Sequence, residues 1–215
     1  MSSDTFRQAK ERMVKEHLIA RGIKNEQVLT AFKRVPREEF VPAKVKAEAY
    51  QDRPLPIGAG QTISQPYIVA EMVQALQPQP TDKILEIGTG SGYAAAILAE
   101  IVDTVHGVER KQSLADEAQT RLTKLNYDNV KLHTADGTTG WKDKDPYDGI
   151  LVSAAAPEIP NSLVEQLVES GYLVIPVGTK SVQQLYQIQK LKTGELHKTK
   201  LGRVRFVPLL GIEGW

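Results

Sequence analysis

The sequence predicts an α/β fold with a mostly parallel, doubly wound sheet, and three observations support it. Lys83–Tyr93 reads as an apolar strand that runs into a glycine-rich turn, and Ala94–Ala99 then forms a strong helix-forming run. Predicted strands and helices alternate with short connections up to residue 177, which favours parallel strands covered on both faces. Residues 183–210 read as an antiparallel hairpin around a Thr193-Gly194 turn at the sheet edge.

The elements before the sheet are predicted to be helical. Residues 4–34 read as two helices broken at Gly22-Ile23. Residues 50–65 are rich in proline and glycine and predict an ordered loop, and residues 66–76 predict a helix with Pro66 at its first position. The predicted core strands are residues 83–87, 104–109, 129–134, 147–153 and 171–177, and the predicted core helices are residues 92–101, 112–125 and 160–168.

Composition excludes several classes of function. The 215 residues suit one large domain, and a net charge of +1 implies no strong attraction to nucleic acid or to an anionic membrane. We find no apolar run of membrane-spanning length, and the polar amino terminus predicts no signal peptide. The absence of cysteine rules out disulfides and thiolate nucleophiles, and the four histidines lack metal-ligand spacing. We therefore expect a soluble cytoplasmic protein without a metal site.

The glycine-rich turn after the first core strand predicts a ligand of the adenosine type. Gly88, Gly90 and Gly92 lack the Cβ that would keep the backbone away from a ligand. The next predicted strand ends in Glu109, about 20 residues further on, where a carboxylate can bind a ribose diol. The alternatives are an ordinary tight turn and a solvated acid at the strand end.

Details of the turn distinguish between ligands. A dinucleotide-binding turn has glycine or alanine at the position of Tyr93. Glu86 would repel a pyrophosphate but suits a cation, such as the ammonium group of S-adenosyl-L-methionine, or it caps the loop amides. We expect S-adenosyl-L-methionine, with a NAD-type site as the alternative. No phosphate-binding Gly-x-x-x-x-Gly-Lys-Ser/Thr loop is present, which argues against an NTPase.

Two further strand ends bear on the function. Asp136, beside Gly137, can accept a hydrogen bond from an adenine amino group or can serve only as a turn residue. The fourth strand is followed by Ser153–Pro157 and not by the Asn/Asp-Pro-Pro-aromatic motif of many amine-methylating enzymes, which weakens the case for methylation of nucleic-acid bases. The basic cluster at residues 198–205 is interpreted as a solvated hairpin face and not as a phosphate-binding track.

Several motifs together resemble one family. They are Val35–Pro42, the loop Leu55–Pro66 with its Gly-Gln-Thr-Ile-Ser-Gln-Pro core, Leu85–Tyr93, Pro146–Asp148, Ala154–Pro160 and Val204–Leu209. The chain resembles the protein-L-isoaspartate (D-aspartate) O-methyltransferases over nearly its whole length. The resemblance implies a Rossmann-like methyltransferase fold with an N-terminal helical extension and a C-terminal hairpin.

The resemblance also implies an activity and its residues. The methyl group of S-adenosyl-L-methionine would pass to the free α-carboxylate of L-isoaspartyl or D-aspartyl residues in damaged proteins, and the enzyme would be a monomer. The implied active-site residue is Ser64. The implied cofactor-binding residues are Gly60, Gln61, Glu86, Gly88, Thr89, Gly90, Gly92, Glu109, Asp136 and Gly137. The implied substrate-binding residues are Thr62, Ser64, Val204, Arg205 and Val207.

Such a reaction needs no strong base, because a substrate carboxyl group is already ionised near pH 7. Ser64 is then expected to orient the carboxylate by hydrogen bonding, or else to cap the helix that begins near Pro66. Two other classes remain open: a methyltransferase acting on a small molecule, and a binding module without catalysis. We expect a single domain over residues 1–215, with an N-terminal part (1–78), an α/β core (79–180) and the hairpin (181–215).

Overall fold

A computed structural model describes residues 3–215, and a seven-stranded sheet forms their centre. The strands of this sheet are β3 Lys83–Ile87, β4 Thr104–Glu109, β5 Val130–Thr134, β6 Tyr147–Val152, β7 Leu167–Gly178, β8 Gln183–Lys190 and β9 Leu196–Val204. Two short strands, β1 Leu55–Gly58 and β2 Gln61–Ile63, form a separate hairpin. The α-helices are α1 Ser3–Met13, α2 Glu26–Arg34, α3 Pro66–Leu76, α4 Tyr93–Ala99, α5 Gln112–Lys124 and α6 Asn161–Glu165.

The strand order fixes where a ligand can enter. The order is β5-β4-β3-β6-β7-β8-β9; the first five strands are parallel, and β8 and β9 are antiparallel to their neighbours. The chain winds away in opposite directions from β3 and β6, so the topological switch point lies between these two strands. Ligands of open α/β sheets bind at the carboxyl ends of the strands at this point.

Two buried clusters cover the two faces of the sheet, because successive side chains of a strand point to opposite faces. Ile84 of β3 belongs to the cluster formed with helices α1 to α5. Leu85 and Ile87 belong to the other cluster, which includes Leu163 of α6 and Leu209 of the C-terminal segment. The predicted α/β architecture, the mostly parallel sheet and the antiparallel C-terminal strands are confirmed.

Three predicted elements differ from the structure. The helix predicted over residues 160–168 ends at Glu165, because buried Leu167 already pairs with Tyr147 as part of β7. The hairpin strand predicted to reach residue 210 ends at Val204, because the chain then bonds to Ala155 through Val207 O and Leu209 N, at 2.8 and 2.7 Å. The loop predicted over residues 50–65 contains the β1–β2 hairpin.

A buried guanidinium joins the N-terminal part to helix α4. Arg37 is 0 % exposed; its Nε donates to Ala49 O at 2.7 Å and its Nη2 to Ser64 O at 2.8 Å. The guanidinium also lies over the ring of Tyr93, the first residue of α4, at 4.7 Å from the centroid. Arg37 therefore links three segments that are far apart in sequence, and burial lowers its pKa.

We expect Arg37→Met to lower the free energy of unfolding by about 2–6 kcal/mol, because two carbonyl oxygens lose their donor at about 1–3 kcal/mol each. Urea denaturation measures this loss. Arg34→Met is the matched control, since Arg34 makes an exposed ion pair with Glu100 that contributes at most about 1 kcal/mol. Equal losses in the two variants would contradict the linking role of Arg37.

Candidate active site

The glycine loop after β3 lies directly on β4. Gly88 N donates to Val108 O at 2.8 Å, and Gly88 and Gly90 have φ of 80° and 56°, a region that favours glycine. Gly107 of β4 permits this approach, since a Cβ there would lie 2.6 Å from Thr89 Oγ1. The loop backbone is thereby held at the carboxyl end of the sheet.

The β1–β2 hairpin, residues 55–63, is called the flap here because it lies over the glycine loop. At its tip, Ala59 and Gly60 both have positive φ, which is the requirement of a type I′ turn. Lys111 Nζ donates to Ala59 O, and Ile57 packs toward Gly90, where an added Cβ would lie 3.3 Å from Ile57 Cδ1. The flap is therefore attached both to the loop and to the segment after β4.

Three neighbouring cavities lie between the flap and the sheet. The outer cleft, of about 530 Å³, is lined by Pro54, Thr62, Ser64, Gln65, Ile68, Ser153, Ser181, Val182 and residues 203–207. The glycine-loop chamber, of about 40 Å³, is lined chiefly by Thr62, Ser64, Met72, Glu86, residues 88–91, Tyr93 and Ser153. The strand-end chamber, of about 80 Å³, is lined chiefly by Gln61, Thr62, Gly88, Gly90, residues 108–111, Gly137, Ser153 and residues 207–210. Thr62 and Ser153 line all three cavities, so these two residues stand between the outer cleft and the inner chambers.

The ionised form of Glu86 is unfavourable in the ligand-free chain, because its carboxyl group is buried without a cation beside it in the described part of the chain. Its side chain is 1 % exposed, and burial raises its pKa to about 8. Glu109 raises this pKa further, whereas Ser153 and the backbone of Ala95 lower it. Ser153 Oγ lies 3.4 Å from Oε1, and within residues 3–215 Oε2 has no hydrogen-bond partner. A cationic group in the glycine-loop chamber would supply the missing charge.

Glu109 is buried at the end of β4, where its two carboxylate oxygens accept backbone hydrogen bonds. Oε2 accepts from Gly90 N and Oε1 from Lys111 N, both at 2.9 Å. The acid thus connects the glycine loop to the segment that holds the flap tip, and it lines the strand-end chamber. A carboxylate has about four acceptor sites, so these two bonds leave capacity for a hydroxyl of a ligand.

The predicted cofactor-binding residues divide into two groups. Those that line the two inner chambers are Gln61, Glu86, Gly88, Thr89, Gly90, Glu109 and Gly137. Gly60 lies at the flap tip, and Gly92 caps α4, where an added Cβ would lie 3.3 Å from Leu122 Cδ1. Gly60 and Gly92 line neither chamber, and they shape the walls of the site.

Asp136 also lies behind the chamber walls. Its Oδ1 accepts from Thr138 N at 3.0 Å, and its Oδ2 accepts from Ile212 N at 2.8 Å. Burial acts to raise its pKa, but the hydrogen bonds from Ile212 and Thr138 outweigh this effect and lower it. The carboxylate of Asp136 therefore holds the C-terminal segment beside the end of β5. Asp136 itself does not line the strand-end chamber, but its neighbour Gly137 does.

All the predicted substrate-binding residues line the outer cleft: Thr62, Ser64, Val204, Arg205 and Val207. The alternative of Ser64 as a helix cap is wrong, because the N-cap of α3 is Gln65 and the N–H of Tyr67 is satisfied by Asp52 at 3.0 Å. Within residues 3–215 the hydroxyl of Ser64 makes no hydrogen bond, whereas its carbonyl is held by Arg37. The hydroxyl is therefore available to a ligand in the cleft.

Ser153 is the site residue that was not among those predicted. It follows β6, and its N donates to Ile87 O at 2.8 Å, which places it at the topological switch point. Its position at the carboxyl end of the fourth core strand was the available signal in the sequence.

Within the described residues no group of His, Cys, Asp or Glu is arranged to hold a metal, and no helix is long and apolar enough to cross a membrane.

Comparisons with known proteins agree on one family. The family model "Protein-L-isoaspartate(D-aspartate) O-methyltransferase" matches residues 8–214. A protein-L-isoaspartate O-methyltransferase of Pelotomaculum thermopropionicum is 52% identical over 96% of this chain and 90% of its own length. One of Syntrophobacter fumaroxidans is 51% identical over 98% of each chain.

Solved structures agree with these sequence matches. A protein-L-isoaspartate O-methyltransferase structure has a TM-score of 0.87 at 27% identity and covers 95% of this chain and 67% of its own. A Plasmodium falciparum protein of the same description, in complex with S-adenosyl-L-homocysteine, has a TM-score of 0.79 at 27% identity. The match covers 95% of this chain and 98% of that one.

The buried carboxyl of Glu86 predicts a pH-dependent stability. Its pKa is raised from 4.5 to about 8 on folding, so the native state binds the proton more tightly than the unfolded state. The stabilisation is complete below about pH 4.5 and is lost as the pH rises toward 8, by at most about 1.4 kcal/mol per pH unit. We expect Glu86→Gln to become progressively more stable than the wild type across this window.

Urea denaturation of the ligand-free protein between pH 5 and 9 measures this difference. Glu195→Gln, in an exposed hairpin turn, should follow the wild type. Parallel pH profiles for Glu86→Gln and the wild type would show that the Glu86 carboxyl is ionised throughout, contrary to this interpretation.

Proposed function

The chain belongs to the protein-L-isoaspartate(D-aspartate) O-methyltransferase family, and from this premise we propose how its site works. The enzyme transfers a methyl group from S-adenosyl-L-methionine to the free α-carboxylate of isoaspartyl residues in proteins. The observation that carries the assignment of roles is that Thr62 and Ser153 line both the outer cleft and the two inner chambers. The donor occupies the inner chambers, and the acceptor enters from the outer cleft.

The inner chambers are lined by groups that suit a donor carrying both a cation and a ribose. Glu86 Oε2 and Thr89 Oγ1 are buried without hydrogen-bond partners within residues 3–215. We assign the ammonium group to Glu86, the ribose hydroxyls to Glu109, and the adenine to the part of the strand-end chamber near Gly137 and Leu209. When bound, S-adenosyl-L-methionine supplies an electrophilic methyl group on a positively charged sulfur.

The acceptor needs orientation and no base. An isoaspartyl carboxylate is ionised near pH 7, because reference carboxyl pKa values are about 3.3–4.3. As the new C–O bond forms, the C–S bond breaks and its electron pair stays on sulfur, so no proton is transferred. Ser64 donates a hydrogen bond that orients the carboxylate, and Thr62 and the 204–207 segment hold the peptide around it. Correct orientation alone can lower such a barrier by about 7–11 kcal/mol.

The remaining expectations concern the setting of the reaction. We propose that the whole chain acts as one methyltransferase domain and as a cytoplasmic monomer, and that it also accepts D-aspartyl residues. The partners are damaged proteins, and neither nucleic acid nor a membrane takes part. The near-neutral net charge of +1 supports this restriction, since it provides no general attraction to polyanions.

Paired peptides test the activity most simply. One peptide carries an isoaspartyl residue, and its twin carries a normal aspartyl residue at the same position. With radiolabelled donor, we expect base-labile methyl ester only on the isoaspartyl peptide, because the cleft receives a free α-carboxylate. Equal labelling of the twins, or labelling of small carboxylic acids in place of both, would contradict the proposed substrate.

Ser64→Ala and Glu109→Ala separate the two halves of the site. Ser64→Ala should lower kcat by up to about 100-fold, as expected for a misplaced reactant, while affinity for S-adenosyl-L-homocysteine stays near that of the wild type. Glu109→Ala should instead weaken that affinity. Calorimetric titration and single-turnover kinetics measure both, and an equal loss of affinity in Ser64→Ala would contradict the positioning role.

A further inference from the structure

The outer cleft carries more positive charge than its acceptor requires. Arg203 and Arg205 both line it, and none of its lining residues is acidic. Within residues 3–215 neither arginine forms an ion pair or a side-chain hydrogen bond. A single isoaspartyl carboxylate can neutralise one guanidinium, so the other lacks a partner when a neutral peptide is bound.

The backbone around the two arginines is held firmly. Gln184 Nε2 donates to Gly202 O at 2.7 Å, and Phe206 N donates to Gln183 Oε1 at 2.8 Å. Val204 and Phe206 pack against the first buried cluster, whereas Arg203 and Arg205 are both exposed. The guanidinium groups therefore extend from a fixed edge, at the mouth of the cleft.

Position along this edge distinguishes the two residues. Val207 lines both the outer cleft and the strand-end chamber, so it marks the reactive end. Arg205 precedes it by two residues and Arg203 by four, which places the Arg203 Cα at most about 14 Å from that of Val207. On the amino side of the isoaspartyl residue the neighbouring Cα lies about 3.8 Å away, and on the carboxyl side the linkage through the side chain is one methylene longer. A carboxylate on either neighbour can therefore reach the part of the cleft edge that carries Arg203.

We propose that Arg203 binds a second carboxylate of the substrate, on an aspartyl or glutamyl side chain next to the isoaspartyl residue. This inference rests on the proposed function and adds a substrate preference to it: the enzyme favours damaged sites in acidic segments. Arg205 stays assigned to the region of the reacting carboxylate. The planar guanidinium suits a carboxylate because it can donate two parallel hydrogen bonds.

Matched isoaspartyl peptides test the preference. They differ only by glutamate or glutamine beside the isoaspartyl residue, one pair on its amino side and one on its carboxyl side. We expect the wild type to show a glutamate-to-glutamine ratio of kcat/KM of about 2–5 for at least one pair, the range of ion pairs in contact with solvent. The ratio should approach 1 at high salt, where the Debye length falls to about 3 Å.

Variants assign the effect to the residue. Arg203→Gln should bring the ratio near 1, Arg203→Glu should bring it below 1, and Arg203→Lys should retain part of it. Lys198→Gln removes the same charge from the same strand, but Lys198 lies outside the outer cleft, so the ratio should stay that of the wild type. Because the ratio compares two substrates of one enzyme, partial unfolding of a variant cancels.

A wild-type ratio of 1 for both pairs, or a ratio that survives Arg203→Glu, would overturn the inference while leaving the proposed function intact. Inhibition by an oligonucleotide that disappears in Arg203→Gln, without a peptide preference, would assign the arginine to phosphate and also overturn it. If no isoaspartyl peptide accepted a methyl group, the proposed function would fail, and the inference with it.

Discussion

The buried guanidinium of Arg37 is the contact on which the geometry of the site depends. It ties the carbonyl of Ser64, at the end of the flap, to the carbonyl of Ala49 and the ring of Tyr93. Tyr93 begins the helix that follows the glycine loop, so one side chain sets the distance between Ser64 and the glycine loop. A buried cation is costly, and its lowered pKa reflects that cost. The contacts of the guanidinium offset this cost only while Ala49, Ser64 and Tyr93 keep their positions around it.

The donor site combines a rigid backbone with an unbalanced charge. The glycine loop is fixed to β4 at Val108 and Gly107, and the flap is attached to Lys111. Glu86, in contrast, is buried without a cation and has a pKa of about 8. A positively charged ligand would lower that pKa and restore the ionised form. Selectivity for a cationic donor over a pyrophosphate then follows from the charge of the chamber itself.

Local signals in the sequence predicted the central unit well. The apolar run 83–87, the glycines after it and Pro66 as the first residue of α3 each specify their own backbone, and their bounds agree with the structure. Motif resemblance added five residues of the outer cleft: Thr62, Ser64, Val204, Arg205 and Val207. What the sequence alone could not provide is non-local. Ser153 acquires its role from the neighbour relation of β3 and β6, and the roles of Asp136 and Arg37 depend on bonds to distant segments. The end of helix α6 was misplaced for the same reason, since pairing of Leu167 with Tyr147 overrides local helix propensity.

Donor and acceptor are expected to approach each other from opposite sides of Thr62 and Ser153, the two residues that line all three cavities. A crystal structure with S-adenosyl-L-homocysteine and an isoaspartyl peptide tests this most directly. We expect sulfur beside these two residues, ribose hydroxyls on Glu109, and the peptide carboxylate within hydrogen-bond distance of Ser64. A product molecule outside the two inner chambers, or a peptide approaching from any side other than the outer cleft, would contradict it.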